Sequence, residues 1–148
     1  MTDISISDNH LRGIAATVIL LDEMLCDFER WSKGCVMQGP LYREFDDLTP
    51  EQKQGILVEI EALRAQLSHL RDELGIEPKV HSVALTIWSK CAWFWSYLVE
   101  LESKHLKGYG ELPGDFAAWF DPKVEAMIKR LNAISEISRR ARTPDKVK

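Results

Sequence analysis

The sequence predicts an all-α protein, an up-down-up-down four-helix bundle, on three observations. Apolar residues recur at three- and four-residue steps along most of the chain. Helix-start and helix-stop residues stand at the ends of those stretches. No segment sustains a two-residue alternation, and no Asn-Gly or Asp-Gly hairpin turn occurs. At 148 residues the chain is expected to form one helical-bundle domain, 1–148, without staples.

The first helix is predicted over about 7–33, with Ser7 or Asp8 as N-cap and Gly34 as the stop. Its apolar run Ile14 to Leu21 is closed by Asp22 and Glu23 and is far too short to span a bilayer. The second, over 49–74, opens on Thr49-Pro50-Glu51-Gln52, a capping box with proline at the first helical position, and closes at Gly75. Ile56, Ile60, Leu63, Leu67, Leu70 and Leu74 step by four and three, which lines them up as one narrow seam.

The third helix, over 79–107 between Pro78 and Gly108, contains Ile87-Trp88-Ser89-Lys90-Cys91-Ala92-Trp93-Phe94-Trp95-Ser96-Tyr97. On a helical wheel its apolar face covers roughly 200°. That width predicts either the most buried member of the bundle or a helix with a second interface, with Trp88 and Trp95 in the core. The fourth helix, over 121–142, takes Asp121 as cap and Pro122 as its first residue, and a basic tail, 143–148, comes after it. Two long connections, rich in Val36, Met37, Leu41, Tyr42 and Phe45 or in Tyr109, Phe116, Trp119 and Phe120, are expected to fold over one end of the bundle.

Composition narrows the function classes. The chain is 45% hydrophobic and 28% charged, with a net charge of −4. Residues 1–74 hold 14 acids against 7 bases, net −7, and residues 75–148 hold 9 acids against 12 bases, net +3. Overall acidity disfavours nucleic acid as a partner, except through the basic end with Arg139, Arg140 and Arg142. An early acid and no apolar stretch at the N-terminus predict no secretory signal, and three cysteines without a Cys-x-x-Cys predict reduced thiols. The expected compartment is the cytoplasm, and no membrane contact or cofactor is expected.

Three sets of residues are candidates for a site. Trp93 and Tyr97, one helical turn apart on the polar face beside Lys90, suit an interface anchor, because exposed aromatics gain most when a partner removes them from water. Glu102 and His105, three apart, would point the same way on one helix and are weak metal candidates; with Trp31, Tyr42 and Trp119 they outline a ligand pocket at the closed end. Arg64-Ala-Gln-Leu-Ser-His69 resembles, over six residues, the Arg-x4–6-His pattern of HEPN ribonucleases, although Ala65 stands where that family carries a polar residue. The resemblance implies a dimeric helical bundle that cuts RNA without a metal through Arg64 and His69. No assembled nucleophile motif or phosphate loop occurs. The expected function is that of a small interaction or regulatory protein, a homodimer or the binder of a protein partner, working through helical surfaces.

Overall fold

The computed structural model describes residues 5–140. Among these the protein is all-helical, with no strand; a lone antiparallel bridge joins Gln38 and Arg43. The helices are α1 (Asp8–Ser32), α2 (Pro50–Leu74), α3 (Val83–Val99), the single turn α4 (Ser103–Leu106) and α5 (Phe116–Arg140), with a 3-10 turn at Lys107–Tyr109. The chain divides into two compact units, Met1–Lys79 and Val80–Lys148. None of the described helices is long and apolar enough to cross a membrane.

In the first unit the local signals work as chemistry predicts. The Ser7 hydroxyl accepts from the His10 N–H and starts α1. The Thr49 hydroxyl accepts from the Gln52 N–H at 3.1 Å while the Gln52 side chain accepts from the Thr49 N–H at 2.9 Å, so two otherwise orphaned donors are satisfied at the start of α2. Gly75 ends α2 at φ +67°, a conformation that costs any residue with a Cβ about 1–2 kcal/mol. One residue later the chain turns back, and Ile76 is buried. The helices pack antiparallel, Phe28 beside Gln52 and Val18 beside Leu67, around Leu25 and Ile60.

In the second unit α3 packs on α5, with Cys91 and the fully buried Val124 at the centre. Removing a valine side chain from water contributes about 1.5–3 kcal/mol. The other expectations for this half need correction. The third helix starts at Val83, capped by the Ser82 hydroxyl, and ends at Val99 instead of running over 79–107. Trp88 and Trp95 are not core residues: they stay 42% and 45% exposed, because one neighbouring helix covers only part of a 200° apolar face.

The helix break coincides with a tertiary contact. Asp121 accepts from the Ser103 N–H at 2.9 Å and from the Ser103 hydroxyl at 2.8 Å, so a new helical turn opens there with its donors satisfied. Those bonds hold the Asp121 carboxyl below its ordinary pKa, the backbone N–H contributing most. Asp121 therefore caps α4 and not its own helix. The helix expected over 121–142 begins at Phe116, where the Asp115 carbonyl accepts from the Trp119 N–H, and it carries Pro122 inside. Phe116, Phe120 and Trp119, expected in a connection, pack on one another in its first turns, with centroids 5.0–6.0 Å apart.

Candidate functional site

Two surfaces have the character of a site, one in each unit. On α3, Trp93 is 63% and Tyr97 50% exposed, as their positions on the wheel predict. Their rings meet edge to face with centroids 5.0 Å apart, and Phe94 joins Tyr97 at 5.6 Å. An edge-to-face pair fixes both rings before any partner arrives, so little side-chain freedom is lost on binding. Lys90, also exposed, lies one turn before Phe94 and supplies a cation at the rim.

The second surface is the connection between α1 and α2, which its apolar composition predicts to lie over the bundle. It is a hydrogen-bonded turn with its large apolar side chains exposed instead. The Glu44 carboxylate, largely shielded, accepts from the Trp31 indole N–H at 2.7 Å, the Met37 N–H at 2.7 Å and Arg30 Nη1 at 3.2 Å. These partners hold its carboxyl below the ordinary range, with the Met37 N–H the largest contributor. The Gly39 N–H donates to the Tyr42 carbonyl at 2.7 Å, and a Cβ on Gly39 would lie 3.1 Å from that oxygen, tighter than ordinary packing. Held this way, the turn presents Leu41 99% exposed and Phe45 86% exposed, with Tyr42 and Met37 beside them. Next to it runs an apolar groove of about 710 Å³ between α1 and α2, lined by Leu21, Met24, Phe28, Gly55 and Ile56, with Glu59 its one charged wall.

The remaining candidates divide between the two units. Trp31 and Tyr42 share a cavity of about 360 Å³ with Arg43, Glu44 and Asp46. In the second unit, Trp119 is exposed under the Lys123 ammonium, 5.0 Å from its ring. Glu102 does not point with His105 as the three-residue spacing implies, since that rule holds only inside a continuous helix and Glu102 has extended backbone (φ −58°, ψ 141°). Glu102 lies 3.8 Å from Lys104, and His105 3.9 Å from Glu100. Among the described residues no three His, Cys, Asp or Glu side chains converge to hold a metal ion.

Arg64 is engaged inside the first hairpin. Its Nη1 donates to Glu29 at 2.6 Å and its Nη2 to the Cys26 sulfur at 3.6 Å. Glu29 is accordingly held below its ordinary pKa and Arg64 raised above its own, each first by their shared hydrogen bond. His69 is exposed on the next turns. Cys26, Cys35 and Cys91 are free thiols. Arg139 and Arg140 end α5, with Arg139 3.8 Å from Glu136, while Arg142 and the tail 143–148 lie outside the described residues.

Sequence reasoning missed Glu44, the bonding of Asp121 to Ser103 and the direction of Leu41 and Phe45. The available signal was small: Gly39-Pro40 announces a turn, but nothing in the string says that its apolar neighbours point outward. In comparisons with known proteins the chain matches no family model, no curated protein and no solved structure.

Proposed function

We propose that this chain is a cytoplasmic protein-interaction protein whose α3 surface, Trp93 and Tyr97 with Lys90 at the rim, anchors a protein partner. One observation carries the reading: a pre-ordered cluster of large aromatics left in water on an otherwise polar helix face. Two such rings offer the partner roughly 150 Å² each, and rings of this kind dominate binding energy where they are fully enclosed. Lys90 favours a partner with an acidic rim, which would govern encounter rate more than affinity.

The test is site-specific photo-crosslinking. A photoreactive phenylalanine analogue at position 97 is expected to give a discrete adduct in cells, lost when Trp93→Ala is added and formed more slowly when Lys90→Glu is added. The same analogue at Leu20, an exposed apolar position on α1, should not give that adduct. An identical adduct pattern from both positions, or none from position 97, would refute the α3 anchor.

A further inference from the structure

Large apolar side chains held in water on a hydrogen-bonded turn are uncommon outside interaction sites. Glu44 gathers Met37, Trp31 and Arg30 around one carboxylate, and in the turn held this way Leu41 and Phe45 stay exposed beside their own hairpin. We infer that the chain self-associates through this element: each copy seats Leu41 and Phe45 in the α1–α2 groove of a second copy, around a two-fold axis. This surface is separate from the α3 anchor and would leave Trp93 and Tyr97 free.

Three features select a second copy as occupant. The first is charge: Arg43 is the one cation on the tip and Glu59 the one charged wall of the groove, and neither has an ion-pair partner among the described residues. The second is area. Met37, Leu41, Tyr42 and Phe45 expose roughly 600 Å² of side chain together. A two-fold contact uses that area twice, which with the covered groove walls enters the ~1,200–2,000 Å² range of stable pairs. The third is the groove floor. Gly55 is exposed in the groove lining and a Cβ there would meet nothing within 4 Å, so the groove is open at that point to an incoming side chain. A membrane fits less well. Asp46, Asp47 and Glu51 flank the tip and would meet the headgroups of an anionic bilayer at every point, whereas the groove of a second copy carries only Glu59.

The experiment is light scattering across a concentration series on the full chain, with circular dichroism on every variant. The wild type is expected to be a dimer. L41D/F45D, at two exposed positions, should weaken it at least tenfold with the helix signal intact. Gly55→Leu should do the same, since it fills the floor while improving helix propensity. Arg43→Glu and Glu59→Arg should each weaken the dimer, and their combination should restore part of the loss. Photo-adducts at position 97 should survive all of these, which keeps the test separate from that of the α3 anchor. A wild type that stays monomeric at every concentration would overturn the inference. So would a dimer indifferent to both L41D/F45D and Gly55→Leu. Binding of neutral phosphatidylcholine vesicles, lost in L41D/F45D and unaccompanied by dimer, would assign the tip to a membrane instead.

Discussion

Replacing Gly55 by alanine should stabilise the protein, and the size of the gain follows from the structure. Gly55 lies inside α2 with an ordinary helical backbone, and the added Cβ would meet nothing within 4 Å. Only the backbone entropy of glycine then changes, worth about 1 kcal/mol in a helix interior. For a chain of this length that corresponds to a rise in Tm of about 3 °C. Gly13, inside α1 and equally unobstructed, should give a similar gain, and the double variant about twice as much, since such sites are independent when far apart. Gly75→Ala should go the other way by about 1 kcal/mol, because φ there is +67°. Urea and thermal unfolding by far-ultraviolet circular dichroism, at the lowest workable concentration, measure all four. A Gly55→Ala variant that loses stability while Gly13→Ala gains it would show that something already occupies the groove floor in the dilute protein, and the reasoning about an open groove would fail.

Thr49→Ala removes the hydroxyl that accepts from the Gln52 N–H and should cost about 1 kcal/mol in urea unfolding. Val124→Ala, at a side chain with no exposure, should cost about 2 kcal/mol from two lost methyl groups plus the space they leave. Glu44 makes the turn sensitive to acid: its folded pKa is depressed, so its contribution is complete above the ordinary value of 4.5 and is lost as pH falls through the lower folded value. The Trp31 indole N–H resonance should report this loss, and Glu44→Gln should abolish the titration. Arg64→Ala should loosen the hairpin by about 1 kcal/mol or less, as expected of a partly exposed ion pair, and neither it nor His69→Ala should change the rate at which RNA decays in the purified protein.

Much of the first unit was legible because its signals are local. Ser7, Thr49 with Gln52, and Gly75 act on backbone groups within a few residues, so a string suffices to find them. The break after Val99 was not legible, since the residue bonded there, Asp121, is distant in sequence and, standing before Pro122, looks like an ordinary cap for a helix starting there. Trp93 and Tyr97 could be singled out because a wheel shows direction whenever a helix is continuous. No wheel exists for residues 33–49. There, apolar composition suggested burial, whereas the Glu44 hydrogen bonds turn Leu41 and Phe45 the opposite way.

The helix lengths give Asp121 a wider meaning. α1, α2 and α5 are each 25 residues long, rods of about 37 Å, while α3 stops after 17. Uninterrupted, the span from Val83 to Leu106 would make a fourth rod of nearly the same length. The chain therefore repeats one ruler four times, with one copy interrupted where Ser103 meets Asp121. In a continuous helix Glu102 and His105 would share a face, so the spacing that suggested a metal site belongs to a conformation this break excludes.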